Sequence, residues 1–185
     1  MCVQCTLANI LEQHQKVFEP SLGTIEGVEP KLYVDPTAQP AFFKAHTVPF
    51  ALRQKIEAEL DRLEKQGVIK PVQFSDWAAP IVPVIKRDGT VQICGDYKLI
   101  INTAVKLEVY SLPRIKDLFA SLAGGKTFTK LDLSHAYLQG KLDEKSKQYI
   151  NVNTHRGLFQ YQRLSFGLAS VPAIFPQLMA SLLQG

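Results

Sequence analysis

Apolar residues recur at helical spacing in PFALRQKIEAELDRLEKQG, residues 49–67, where Leu52, Ile56, Leu60 and Leu63 form one stripe. Pro49 stands just before the start, Gly67 suits a C-terminal cap, and the rest of the surface is charged. Asp61 and Lys65 lie one turn apart and are expected to pair along it. The stripe is that of a helix packed on a core. A second helix is expected in LPRIKDLFASLAGG, with Pro113 in its first turn and Gly124-Gly125 ending it. A short one is expected over about Leu7 to Phe18.

The period changes elsewhere. In APIVPVIKRDGTVQICGDY two β-rich runs flank Asp88-Gly89, a strong hairpin signal, and Pro80 and Pro83 should confine the first strand to an edge. QYINVNT and LFQYQRL, separated by His155-Arg156-Gly157, form a second hairpin. KTFTKLDL alternates as a strand, with Thr127, Thr129, Leu131 and Leu133 on one face and Phe128, Lys130 and Asp132 on the other. The final SVPAIFPQLMASLLQG is helix-like in its later part, and Pro176 is costly inside it unless the helix starts late. Hairpins packed on helices make the expected class α+β.

Five of the 11 prolines fall in residues 1–50, so residues 1–45 read as an extended arm with one strand near Lys31–Val34, and 46–185 as the folded domain. Charge sharpens that division. The net charge is +4, yet residues 1–50 carry three Lys/Arg against five Asp/Glu, leaving the later part basic enough to meet phosphate-bearing partners. The 46% hydrophobic content is that of an ordinary globular chain. No run reaches the roughly 20 apolar residues of a membrane span, and MCVQCTLANI lacks a signal peptide's basic and apolar regions. An intracellular protein, cytoplasmic or nuclear, with no membrane partner is expected. Cys2 and Cys5 form a CxxC without a second ligand pair, and Cys94 reads as a small strand hydrophobe.

The chemistry-bearing candidate is Asp132 in KLDLSHAY. A carboxylate forced into a core without a partner costs several kcal/mol, roughly, but the strand alternation projects Asp132 away from the Leu131 and Leu133 face.

Taken in order, SDWAAPIVPVIKRDGTVQICGDYK, YSLPRIKDLFASLAGGKTFTKLDLSHAY and NTHRGLFQYQRLSFGLASVPAIF resemble the reverse transcriptase of gypsy-type LTR retrotransposons from about residue 40 onward. The resemblance implies the fingers and first part of the palm of a right-hand polymerase. It implies nucleotidyl transfer from a dNTP to a primer 3′-hydroxyl on an RNA or DNA template, with two Mg2+ or Mn2+ ions clamping the reacting oxygens. Asp132 matches the family's first metal-binding aspartate, and the Leu133 carbonyl an added ligand. Lys86 and the backbone N–H groups of His135 and Ala136 match triphosphate contacts, and Tyr137 matches the ring that excludes a 2′-hydroxyl. Phe166 matches a residue lining the nucleotide pocket, and Asp96 and Lys98 match positions near the template.

The chain departs from that pattern at four places. Gln92 stands where the family has a triphosphate-binding arginine, and an amide cannot make the charged, forked contact. Ser165 replaces a proline that would fix its turn, and Pro176 replaces a helix-compatible residue. The family's Tyr-x-Asp-Asp motif is not reached before Gly185, so Asp132 is expected to lack its carboxylate partners and the chain alone to be inactive in primer extension. Two other readings follow from the same facts: a non-enzymatic nucleic-acid-binding remnant, and a degenerate retroelement product with uncovered sheet edges.

Overall fold

The computed structural model describes residues 7–19, 21–106, 114–130 and 132–183. The CxxC at Cys2 and Cys5, Pro113 and Leu131 lie outside them. Five helices and five strands follow in the order α1 (Leu7–Gln13), α2 (Phe50–Lys65), β1 (Ile69–Val72), β2 (Ala79–Ile85), β3 (Val91–Gly95), α3 (Ile115–Ser121), α4 (Glu144–Lys147), β4 (Asn151–Thr154), β5 (Gly157–Tyr161) and α5 (Val171–Leu183). The class is α+β, as the alternating periods predict. No helix among the described residues is long and apolar enough to cross a membrane.

The strands form one sheet in the order β1-β5-β4-β2-β3. Both expected hairpins are present, β2 with β3 and β4 with β5, each antiparallel. Helix α2 lies against β3 and β1 and buries Ile56, Leu60 and Leu63 beside Ile69, Ile93 and Tyr161. Each fully buried aliphatic side chain of this kind contributes about 1.5–3 kcal/mol. Gly67, at φ 65, turns the chain out of α2 into β1 with the left-handed step that glycine takes without strain.

The same helix holds both hairpin turns. Lys55 Nζ donates to the Gly89 carbonyl at 3.1 Å, at the tip of β2–β3. At the β4–β5 turn, Arg156 Nη1 reaches Asp61 Oδ1 at 2.5 Å and His155 Nε2 meets Glu57 Oε1 at 3.1 Å. The expected Asp61–Lys65 pair is therefore replaced by an inter-element one: the flexible Arg156 fork competes better for Asp61 than a solvated lysine on the same helix.

Several other expectations are corrected. Strand β2 is internal to the sheet order, between β4 and β3, because Ala79 and Pro80 pair in parallel with Val152 and Asn153. That parallel pairing covers two residues only, so Pro83 falls where β2 is paired on the β3 side alone. The proline rule is obeyed locally, not by the whole strand. Residues 31–34 form no strand; Val34 makes an isolated antiparallel bridge to Val105. Strand β1, IKPV, carries no alternation to announce it and exists because β5 offers it an edge. Helix α5 runs through Pro176 from Val171 onward, with no late start.

The largest difference lies in residues 114–133. Helix α3 forms but buries none of its residues, and residues 126–130 have no strand pairing and are exposed. Alternation makes a segment able to be a strand; only a paired neighbour makes it one, and among the described residues none is present.

Residues 25–35, within the segment expected to be an extended arm, run against later parts of the chain. Ile25 N–H donates to the Gln139 carbonyl, Leu32 N–H to Ser146 Oγ, and Asp35 N–H to the Ala104 carbonyl. Leu32 is buried with the core, which anchors the middle of the arm.

Candidate functional site

Three elements converge on a cleft of about 330 Å³. One wall is α2, presenting Glu59, Arg62 and Leu63; the second is the β2–β3 hairpin, with Lys86, Asp88, Thr90 and Gln92; the third is the turn at His135–Leu138. Tyr161 and Phe166 line the remainder. Four residues singled out from the sequence, Lys86, Gln92, His135 and Phe166, are thereby brought to one place from positions 80 residues apart at the extremes.

Each wall is held for a local reason. The hairpin turn closes through Gly89 N–H to the Lys86 carbonyl and Lys86 N–H to the Thr90 carbonyl, both at 2.9 Å. Asp88 accepts from the Thr90 backbone at 2.9 Å and from the Thr90 hydroxyl at 2.7 Å, and these bonds hold its carboxyl below the usual range. Asp88 is thus engaged within its own turn, while no ion pair to Lys86 is formed among the described residues. Gln92 points its amide along the strand, with Nε2 3.6 Å from Cys94 Sγ.

The third wall begins at His135, a non-glycine residue in the left-handed region at φ 50, followed by a 3-10 helix over Ala136–Gln139. Such backbone is unusual outside glycine and asparagine and marks a place where the surroundings dictate conformation. Partial desolvation first, and then the Arg62 and Lys86 cations, hold the imidazole of the largely exposed His135 below its ordinary pKa, against a smaller opposing pull from Glu59. That shift favours the neutral ring. Next to it, the Tyr137 ring packs between Phe166, at 5.2 Å between centroids, and Phe175, at 5.3 Å.

Phe166 is placed by its loop. Gly167, at φ 99, lies so close to β3 that a Cβ there would sit 2.2 Å from the Gly95 carbonyl oxygen. Asn102 clamps the same loop from both sides, donating to the Gly167 carbonyl and accepting from Ala169 N–H, each at 2.9 Å. Ser165, expected to loosen the turn in place of proline, is fully buried, its hydroxyl 3.4 Å from Tyr97 Oη. The loop is fixed by packing and by Asn102, without the proline.

The remaining sequence-predicted residues lie outside the cleft lining. Ala136 and Tyr137 adjoin it through the third wall. Asp96 and Lys98 are exposed on either side of buried Tyr97, and Asp96 lines a separate depression with Phe43, His46 and Leu99. Asp132 and Leu133 are exposed, and among the described residues Asp132 has no hydrogen-bond or ion-pair partner and no group of three metal-ligating side chains occurs. A single carboxylate is the right donor type for a hard divalent cation but the wrong number for a pair of them. The described residues therefore do not constitute a two-metal site.

Among the lining residues that escaped the sequence reading are the charged pair Glu59 and Arg62. Their signal was present as a charged i,i+3 pair flanking the Leu60–Leu63 stripe, but such pairs are usually solvated helix surface. Only the packing of α2 against β3 turns this flank toward the hairpin.

The fold and the motifs have known counterparts. The family model for reverse transcriptase (RNA-dependent DNA polymerase) matches residues 86–185. An uncharacterized Caenorhabditis elegans protein is 39% identical over 92% of this chain and 14% of its own length. The retrovirus-related Pol polyprotein from transposon opus of Drosophila melanogaster is 28% identical over 96% of this chain and 18% of its own. The chain thus spans less than a fifth of the length of these relatives. Among solved structures, the prototype foamy virus protease-reverse transcriptase superposes with a TM-score of 0.81 at 22% identity, over 96% of this chain and 24% of that one, which shows a shared fold. With the family model covering more than half of its residues and transposon polyproteins among its relatives, the chain belongs to the reverse transcriptase (RNA-dependent DNA polymerase) family and carries a retrotransposon-type reverse transcriptase domain.

Proposed function

We infer that this chain supplies the part of an RNA-directed DNA polymerase that receives the incoming deoxynucleoside triphosphate. The observation carrying the reading is the single cleft lined by Lys86, Gln92, His135 and Phe166. Lys86 on the hairpin would neutralise charge on the triphosphate as the pyrophosphate leaves. His135 and Ala136 would offer backbone N–H groups to the same oxygens. Tyr137, wedged between Phe166 and Phe175, would stand under the sugar as a rigid obstacle to a 2′-hydroxyl. Asp132 would contribute one carboxylate ligand to a divalent cation, of the Mg2+ or Mn2+ class, with the Leu133 carbonyl beside it; no chemical step is assigned to these two residues alone.

Nucleic acid is the proposed second partner. Related reverse transcriptases of this fold have been solved with double-stranded DNA and with an RNA/DNA hybrid. Asp96 and Lys98, exposed and outside the cleft lining, are the proposed template-side residues. The reading takes residues 1–45 as a connecting arm, residues 46–185 as fingers and partial palm, and an intracellular setting.

The test is saturable binding of dTTP by the purified 185-residue chain, followed by calorimetry. Lys86→Ala is expected to weaken it about tenfold, the order of one charge-assisted contact. Absence of saturable dTTP binding by the unsubstituted chain would sink the proposal. Primer extension by this chain alone is expected to fail, since among the described residues Asp132 has no companion carboxylates.

A further inference from the structure

The cleft holds a second permanent cation that no triphosphate contact inferred from the sequence includes. Arg62 is one third exposed and lines the cleft from α2, opposite Lys86. Its guanidinium is already oriented: Nε and Nη2 donate to the two Glu59 oxygens at 2.6 and 2.7 Å, and Nη1 donates to Gln66 Oε1 at 2.7 Å. A guanidinium has five N–H groups. These three bonds leave one hydrogen on Nη1 and one on Nη2, enough for a forked contact to an oxyanion without releasing Glu59.

Charge makes the arrangement more than a helix-surface pair. Arg62 and Lys86 are the permanent cations of the cleft and Glu59 and Asp88 its carboxylates. Asp88 is bound to Thr90 in its turn, so the carboxylate that offsets Arg62 directly is Glu59, 14% exposed. The arginine side chain is thus held in place at the expense of part of its charge. On the facing strand Gln92 offers an amide, which cannot compensate.

Resting on the nucleotide-binding reading above, we propose that Arg62 is a triphosphate-binding residue of this cleft, and that Glu59 both orients its guanidinium and limits how strongly it attracts the anion. The two residues therefore act in opposite directions on affinity. Arg62 supplies donors and positive charge; Glu59 supplies geometry and subtracts charge. A pair that only stabilised α2 would instead show losses of the same sign on removal of either member.

The experiment measures binding of dTTP and of inorganic tripolyphosphate to the full 185-residue chain by calorimetry, with folding of each variant checked by circular dichroism. Arg62→Ala is expected to weaken both ligands about tenfold, and Arg62→Lys less, because an ammonium keeps charge but not the fork. Glu59→Gln, which keeps the shape and one acceptor, is expected to tighten both by about threefold, on the scale of one partly screened charge. In an Arg62→Ala background Glu59→Gln should lose most of that gain, since coupled residues are not additive. Glu64→Gln, on the same helix but outside the cleft lining, is expected to change little. Arg62→Ala and Arg62→Lys binding as tightly as the unsubstituted chain would overturn the proposal, as would weakening by Glu59→Gln. If the unsubstituted chain binds neither ligand, the nucleotide-binding reading falls and this inference with it; normal binding with unaffected Arg62 variants removes this inference alone.

Discussion

Helices α2 and α3 have similar sequence credentials and opposite fates. Both carry an apolar stripe at helical spacing: Leu52, Ile56, Leu60 and Leu63 in one, Ile115, Leu118, Phe119 and Leu122 in and just after the other. The first stripe is closed over by the sheet, with Ile56 and Leu60 completely buried. The second leaves Ile115 71% and Phe119 69% exposed, and the following segment adds exposed Phe128 and Leu133. Periodicity reports that a face is apolar; it is silent on whether a partner is at hand. The cleft is built on the packed side of this contrast, and Asp132 stands exposed on the unpacked side, which is why the cleft-lining groups are held by neighbours on several elements and Asp132 is not.

The comparison is broken most directly by truncating one residue in each helix. Leu60→Ala is expected to cost about 2–5 kcal/mol by loss of transfer energy and cavity formation, and Leu118→Ala within about 0.5 kcal/mol, as for an exposed site. Urea unfolding followed by circular dichroism gives both numbers, and equal losses would mean that α3 is packed after all. The loop carrying Phe166 provides the next test. Gly167→Ala forces a Cβ into the Gly95 carbonyl at a positive φ, with an expected loss of about 1–3 kcal/mol from strain alone. It should also weaken dTTP binding by displacing Phe166, whereas Gly124→Ala, also at positive φ but with open space around it, should carry only the backbone penalty.

Asn102→Ala is expected to be milder. It removes two hydrogen bonds to the same loop at an exposed position, for a loss of about 1 kcal/mol in the same unfolding measurement. A loss as large as that of Leu60→Ala would make Asn102, not apolar packing, the main support of the loop.

The smallest effect concerns pH. His135 has a folded pKa below the 6.5 of the unfolded chain, so the unfolded state takes up more protons as pH falls. Stability is unaffected by this group well above 6.5 and declines as pH drops through that value toward the folded pKa. His135→Gln should flatten this part of the stability–pH curve between neutral and mildly acid pH. An unchanged slope would show that partial desolvation beside Arg62 and Lys86 does not burden the ring.

Much of the site was legible because its chemistry is carried by short local patterns. The Asp88-Gly89 turn announces the hairpin that bears Lys86, and the residues after Asp132 announce the turn that bears His135 and Tyr137. Gln92 and Phe166 could be named from their places in the resemblance. Glu59 and Arg62 could not, since a charged pair one turn apart is the commonest thing on a helix surface. Strand β1 was missed for a related reason: IKPV has neither alternation nor turn signals, and is a strand because β5 pairs with it. The reverse holds at residues 126–130, where alternation predicts a strand and no described neighbour completes one.

By itself, then, the sequence determined the α+β class, both hairpins, the helical identity of α2 and the residue types that line the cleft from the hairpin and the His135 turn. All of these follow from interactions within a few residues of one another, where spacing and turn chemistry decide. Only the tertiary structure decided that α2 faces the hairpin and brings Arg62 opposite Lys86, that β2 is an inner strand with one half-free side, and that Asp132 lies on an uncovered stretch. Those outcomes depend on which surfaces meet, and burial of one apolar face against another is a property of the pair, not of either sequence alone.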